Sequence, residues 1–328
     1  MEGYVIPIIE RLKREEGSIL IFTHENPDGD GIGSMLALYQ FLKKKNKNVV
    51  AAMKDNVPHI YDFLPYNQEI KKLPLDKTFD VGIIVDAAGA YRAGVEIKAK
   101  EILRIDHHIG GVFESIYDYI NPYAAATTYL VGEILRNWDE EAIDADIATC
   151  LYVGLMTDTG SFRYNNTNEK TFEMAEFLVK KGANPSYISH MVFERNSLNV
   201  LKLLQKTLST IELYEDGKIA VLTVFRDFLE ETGTTEEDTE GFVHFARGLD
   251  GVEVAIIMIQ REDRKTWRIS IRGKGKVDVQ KIAKCFGGGG HKDAAGCRVI
   301  GDYHEVKQKL INEIATNLSK YEELVEVK

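Results

Sequence analysis

The chain has 328 residues, with 41 Lys and Arg against 51 Asp and Glu and a formal net charge of −10. A composition of 44% hydrophobic and 28% charged residues excludes a wholly disordered chain, and no run approaches the ~18 apolar residues of a membrane span. So acidic a protein is a poor partner for long duplexes, whose binding rests on many phosphate contacts.

The first half alternates short apolar runs with helical patterns. Residues 18–22 read as a buried strand, and 31–45 as a helix with Ile32, Met35, Leu36, Tyr39 and Leu42 on one face. Strands follow at 49–53, 81–85 and 102–105, and helices at about 124–137, 144–157 and 168–182. Buried strands alternating with helices predict a mostly parallel sheet covered on both faces. The more polar helical run 186–211 is expected to link two domains. The pattern then restarts, with strands at 218–225, 252–260, 267–271 and 294–300, and helices at 236–248, 277–285 and 303–320. The expected fold is therefore α/β. A domain over 1–185 carries the parallel sheet flanked by helices, and a smaller α/β domain spans 212–328.

Three cysteines, Cys150, Cys285 and Cys297, form no Cys-x-x-Cys, and Met1-Glu2-Gly3-Tyr4 lacks a basic start to a secretory signal. A reducing cytoplasm is the expected location. Cys285, His291 and Cys297 match no common zinc spacing. Charge is unevenly spread: from 264 to 298 there are ten Lys/Arg and two acids, +8, which leaves −18 for the rest. A local basic segment of this kind can hold a small anion.

Four sites in the first half follow the ends of apolar runs. They are Thr23-His24-Glu25-Asn26-Pro27-Asp28-Gly29-Asp30, then Asp86, then Asp106-His107-His108, then Thr157-Asp158-Thr159-Gly160. Ligand sites of open α/β sheets gather beyond the carboxyl ends of the strands, so the first three converge if their strands are neighbours. Asp28, Asp30, Asp86, Asp106 and Asp158 in one cleft would repel one another, and divalent cations would relieve that repulsion. Carboxylate with imidazole suits Mn²⁺, with Mg²⁺ and Co²⁺ as alternatives. So many donors call for two ions, as in sites that hydrolyse phosphate esters. Taken singly, the residues have plainer readings: Asp30 and Asp158 as helix N-caps, and Pro27, Gly29, Gly31 and Gly33 as turn chemistry.

With Asp106-His107-His108 the pattern resembles the DHH phosphoesterase superfamily, in particular its small dinucleotide-phosphodiesterase members that carry a C-terminal DHHA1 domain. His24-x-x-x-Asp28-x-Asp30 resembles the first motif, Asp86 the second, Asp106-His107-His108 the third and Asp158 the fourth. Gly287-Gly288-Gly289-Gly290-His291, followed by Ala294-Ala295-Gly296, resembles the DHHA1 signature. The resemblance implies that His24, Asp28 and Asp86 hold one metal, that Asp30, Asp86, His107 and Asp158 hold the other, and that Asp86 bridges. It implies that His108 faces the scissile phosphate and that Asp106 orients a histidine. One departure is Ala87-Ala88-Gly89, where the family often has hydroxyl residues.

Four glycines let backbone N–H groups approach an anion, with His291, Arg268, Arg272 and Lys292 adding donors and charge. Arg247 and Arg195 are weaker candidates. The substrate is expected between the two domains, with the distal phosphate on the Gly-rich loop. The expected activity is Mn²⁺-dependent hydrolysis of short nucleotides to nucleoside monophosphates: linear dinucleotides such as pApA, few-residue RNA, c-di-AMP or pAp. The resemblance also implies a homodimer. An inorganic pyrophosphatase is disfavoured because that branch has a different second domain, and a processive single-strand exonuclease by length and charge. A nucleotide-binding regulator without catalysis is disfavoured because every expected ligand is present.

Overall fold

The structure is a computed structural model that describes residues 2–290 and 292–326. The chain divides into two compact units, Met1–Arg195 and Asn196–Lys328.

In the first unit helix α1 (Glu2–Arg14) precedes strand β1 (Ser18–Phe22), followed by α2 (Gly29–Lys44), β2 (Asn48–Met53), β3 (Lys71–Lys72), β4 (Phe79–Val85), β5 (Ala99–Asp106) and β6 (Tyr119–Ile120). Four helices complete it: α3 (Thr127–Asp139), α4 (Ala145–Asp158), α5 (Glu169–Lys180) and α6 (Pro185–Phe193). The strands form one sheet in the order β3-β2-β1-β4-β5-β6, with every pairing parallel. The order reverses between β1 and β4, and the crevice beyond their carboxyl ends is where such sheets bind ligands.

The continuous apolar runs follow from burial on both faces. Ile19 and Ile21 of β1 join the core built with α1 to α6, whereas Leu20 and Phe22 join Leu73, Phe79, Ile84, Ala87 and Ala93 on the other face. Among the described residues that second face is closed by the connecting segments 73–75 and 87–97, with a 3₁₀ turn at Ala90–Ala93.

Helix α2 begins at Gly29, and its N-cap is Asp28, whose Oδ1 accepts from Asp30 N at 3.0 Å and Gly31 N at 3.1 Å. Asp30 is thus a residue of the helix and not its cap, and Asp158 is the last residue of α4. Gly29, Gly31 and Gly33 are helical too, so turn chemistry does not explain them. Each would cost ~1 kcal/mol against alanine in an open helix. Close packing is the reason they are glycine: a Cβ on Gly33 would lie 2.4 Å from the Cys150 carbonyl oxygen of α4, and one on Gly31 2.6 Å from Thr23 Oγ1.

The second unit opens with α7 (Leu198–Leu208) and continues with β7 (Glu212–Tyr214), β8 (Ile219–Val224), α8 (Arg226–Thr232), α9 (Val243–Arg247), β9 (Val254–Gln260), β10 (Thr266–Gly273), α10 (Val279–Cys285), β11 (Gly289–Gly290), β12 (Ala294–Ile300) and α11 (Tyr303–Glu326). Its sheet runs β11-β12-β10-β9-β8-β7, and only β8 and β9 are parallel. Helices α10 and α11 cover one face, while α7, α8 and α9 cover β8 and β9 on the other. The run 186–211, read as one helical linker, is two helices. Ile188 of α6 belongs to the first core and Leu203 of α7 to the second. The single helix expected at 236–248 is a 3₁₀ turn at Glu237–Thr239 and the short α9, separated by Gly241 at φ +82°.

Lys307 of α11 ties that helix to β7. Its Nζ reaches Glu212 Oε1 at 2.8 Å and Oε2 at 2.9 Å and lies over the Tyr303 ring. Burial alone would raise the Glu212 carboxyl, but hydrogen bonds from Lys307 and Tyr214 hold it below its ordinary value. A lowered carboxylate stabilises the fold above its unfolded pKa, and that stability is lost as pH falls through the folded value. The Tm of Lys307→Met is therefore expected to fall less steeply than wild type between about pH 5 and pH 3; equal slopes in calorimetry would remove the pair as a source of acid sensitivity.

Candidate metal centre

The loops after β1, β4 and β5 and the end of α4 meet at the switch point. Thr23 Oγ1 donates to Val85 O at 3.0 Å and so joins the ends of β1 and β4. Asp86 follows β4 with φ +57°, a left-handed backbone that Asp tolerates better than most residues. His24 Nδ1 lies 2.9 Å from Glu25 O, and His107 Nδ1 lies 3.2 Å from Ala124 O. A carbonyl only accepts, so both rings carry a proton on Nδ1 and turn Nε2 toward the carboxylates. This is the usual way a protein prepares imidazole for a metal.

The Nε2 of His24 is 3.6 Å from Asp86 Oδ2. The Nε2 of His107 is 3.6 Å from Asp158 Oδ2, 3.7 Å from Asp86 Oδ1 and 3.9 Å from Asp30 Oδ2. Two donors each ~2.1 Å from one ion stand roughly 3–4.2 Å apart, so these spacings fit shared coordination. Three metal-compatible groups result: His24, Asp28 and Asp86; Asp30, His107 and Asp158; and Asp86, His107 and His108. Asp86 and His107 each belong to two. Among the described residues no such group contains a cysteine.

Asp30 does a second job. Its Oδ2 accepts from Thr127 N at 2.6 Å, and its Oδ1 from Thr128 N at 2.8 Å and Thr128 Oγ1 at 2.7 Å. Helix α3 has Ala126 at its N-cap with no side-chain bond of its own, so Asp30 caps it from α2. Thr127 Oγ1 donates to Asp86 Oδ1 at 3.0 Å. Burial raises the carboxyls of Asp30 and Asp86, and for Asp86 the neighbours Asp30 and Asp28 raise it further. Burial would lower His107, but Asp158, Asp30 and Asp86 outweigh it and push it up to about 9. The donor set is carboxylate and imidazole, with Asp30, Asp86 and His107 buried, His24, His108 and Asp158 partly buried and Asp28 exposed, and it fits hard or borderline divalent ions.

Asp106 is fully buried and bonds His108 Nδ1 through Oδ1 at 2.6 Å. Its Oδ2 accepts from Arg104. Burial would raise its pKa, but His108 and Arg104 hold it well below the carboxylate range.

Residues 18–155 match the DHH family, N-terminal domain, and residues 216–320 match the DHHA1 domain. The chain is 31% identical over 319 residues to the bifunctional oligoribonuclease and PAP phosphatase NrnA of Thermus thermophilus, covering 95% of this chain and 94% of that protein. The chain belongs to the DHH family. It is also 25% identical over 312 residues to the cyclic-di-AMP phosphodiesterase PdeA of Listeria monocytogenes, 89% of this chain but 46% of that protein. The crystal structure of an exopolyphosphatase-related protein from Bacteroides fragilis is similar with a TM-score of 0.86 and 25% identity, covering 99% of this chain and 98% of that one. DHH proteins are metal-dependent, and the acidic and imidazole groups above are the donors available here.

In the DHHA1 domain, Arg268, Ser270 and Arg272 alternate with buried Trp267, Ile269 and Ile271 along β10 and share one half-buried face. Arg268 pairs across to Arg298 on β12, and Arg272 to Ala294. The glycine run lies tight on β12: a Cβ on Gly288 would come within 2.1 Å of Gly296 O. Gly287 has φ +72° and Gly290 φ +139°. His291 lies outside the described residues. The +8 segment is less available than its count suggests, because Arg264 pairs with Asp227 and Glu230, and Lys276 with Glu253. Arg195 is likewise bonded to Asp62 at 2.7 Å, and Arg247 Nε to Gly273 O at 3.0 Å.

Sequence reasoning missed Thr127, Thr128 and Arg104. The threonines open an ordinary helical pattern. Arg104 does leave a trace, as a charged residue inside the apolar run Ile102-Leu103-Arg104-Ile105.

Proposed function

We propose that this DHH protein is a two-Mn²⁺ phosphodiesterase that hydrolyses short nucleotides to nucleoside monophosphates. Linear dinucleotides such as pApA are the main substrates, with few-residue RNA, c-di-AMP and pAp as further ones. The observation that carries this is the place of Asp86 at the β1/β4 switch point: it groups with His24 and Asp28, and its Oδ1 stands 3.7 Å from Nε2 of His107 in the Asp30, His107 and Asp158 group. His24, Asp28 and Asp86 would hold one cation, and Asp30, His107 and Asp158 the other, with Asp86 available to both. Cations held there neutralise the carboxylates, activate a water and polarise the phosphoryl oxygens. The protein's own groups orient the reactants. Asp106 accepts the hydrogen bond from His108 Nδ1–H and so turns Nε2 to the substrate phosphate. Asp30 keeps the N-terminus of α3, and so Thr127, against Asp86.

The distal phosphate is held by Arg268 and Arg272 with the backbone of Gly287, Gly288, Gly289 and Gly290 and with His291. Relatives named for oligoribonucleotides, PAP and cyclic-di-AMP support the substrate class. A hydrogen bond to a charged group contributes ~1.5–3 kcal/mol. Arg268→Ala is therefore expected to raise KM for pApA about 10- to 100-fold at unchanged metal content; lost metal would move Arg268 to the other half of the site.

The test of the whole reading is nucleotide or phosphate release from pApA, pGpG, c-di-AMP, pAp, a 5-mer RNA and pyrophosphate, after chelation and readdition of Mn²⁺, Mg²⁺ or Co²⁺. Dinucleotide cleavage restored best by Mn²⁺ is expected, and pyrophosphate as sole substrate overturns the assignment. The proposal includes a homodimer, which light scattering at about 37 kDa would refute.

A further inference from the structure

Arg104 is one of the largest fully buried side chains of the protein, at 1% exposure. Removing a guanidinium from water costs several kcal/mol unless its donors are satisfied. Here the donors go to four groups on three pieces of chain. Nε donates to Ala87 O at 2.9 Å and Asp106 Oδ2 at 3.0 Å, Nη1 to Val112 O at 3.2 Å, and Nη2 to Gly110 O at 2.8 Å and to Asp106 Oδ2.

The neighbouring backbone is shaped around this fork. Gly111 has φ +94°, and a Cβ there would lie 2.2 Å from Ala88 O and 2.7 Å from Arg104 Nη1. Val112 N donates to Ala88 O at 2.7 Å. Two consequences follow for the metal centre. The two oxygens of Asp106 are divided, Oδ2 to Arg104 and Oδ1 to His108 Nδ1, so the plane of that carboxylate is fixed. The carbonyl of Ala87 is held one residue after Asp86, whose backbone is left-handed.

We propose that Arg104 is a positioning residue for phosphodiester hydrolysis: it fixes the His108 ring through Asp106. This rests on the hydrolase reading above. A lysine keeps the charge but cannot reproduce the planar fork.

The experiment uses the full-length protein with Mn²⁺ and pApA. Arg104→Lys is expected to lower kcat about 10- to 100-fold, the range of other groups that orient metal-site residues, with KM within threefold of wild type. In an Asp106→Asn background the same substitution is expected to cost less than threefold, because residues acting as a unit are not additive. In metal-free protein the far-downfield His108 Nδ1 proton resonance, assigned by its loss in His108→Gln, is expected to vanish in Arg104→Lys. Equal kcat losses in both backgrounds overturn the proposal and leave Arg104 a clamp for the 110–112 loop. So does an unchanged His108 resonance beside a lowered kcat. Should Arg104→Lys fail to fold, Asp106→Asn alone decides: wild-type kcat there would mean that Arg104 has nothing to act through. A wild-type enzyme inactive on every substrate would instead defeat the hydrolase reading, a separate result because the resonance needs no turnover.

Discussion

Asp86→Asn should leave the protein folded and lower turnover of pApA by on the order of 10³-fold or more. Metal ions at such sites contribute several kcal/mol of charge stabilisation, and ~4 kcal/mol corresponds to that factor. Asparagine is the informative substitution. It accepts the backbone at φ +57° and can keep the bond from Thr127 Oγ1, so lost activity would not reflect strain. The same change should raise the Tm of metal-free protein. Asp86 is 3% exposed and its carboxyl is pushed up by burial, Asp30 and Asp28, so charged or protonated it opposes the empty fold. Wild type should gain stability from Mn²⁺, about 2.7 kcal/mol at a hundredfold excess over Kd, and the variant far less. Thermal melts with and without Mn²⁺, metal analysis and turnover read all three. Turnover within tenfold of wild type would remove Asp86 as the bridge.

Gly33→Ala should be among the most damaging single-methyl changes outside the donor set. Two effects oppose each other. Alanine favours the helix by ~1 kcal/mol, while its Cβ would stand 2.4 Å from the Cys150 carbonyl oxygen, a backbone atom that moves only with α4. Overpacking costs typically 1–3 kcal/mol and more where backbone must shift. The steric effect wins, and because α2 carries Asp30 and α4 carries Asp158, the displacement reaches the donors. A Tm lowered by several degrees with weakened Mn²⁺ affinity is expected in calorimetry. A Tm equal to or above wild type would show that the two helices slide apart at little cost.

The parallel sheet was legible because β1 and residues 81–85 of β4 are buried and read as apolar runs, and β5 keeps a shorter one at 102–105, broken by Arg104. The DHH motif and the acidic loop at 23–30 were legible because their residues are contiguous at strand ends. Partners supplied from far along the chain leave little sign: Asp30 bonds threonines 97 and 98 residues away. Strands of two or three residues, such as β3, β6, β7 and β11, are too short for periodicity to register. The glycines of α2 left a turn open as their plainer reading because local chemistry suggests one, while their cause is a helix reached only in the folded state. The basic segment was overcounted for the same reason, since Asp227, Glu230 and Glu253 neutralise it from outside the window.

The double duty of Asp30 bears on how an inert form for trapping bound nucleotide should be made. Its carboxylate holds the start of α3 as well as facing His107, so alanine at that position would unseat helix α3 along with the chemistry. His108 bonds instead to Asp106, two residues before it at the end of β5. A glutamine there is the better choice for co-crystals, because the helix that Asp30 anchors would then keep its native seat.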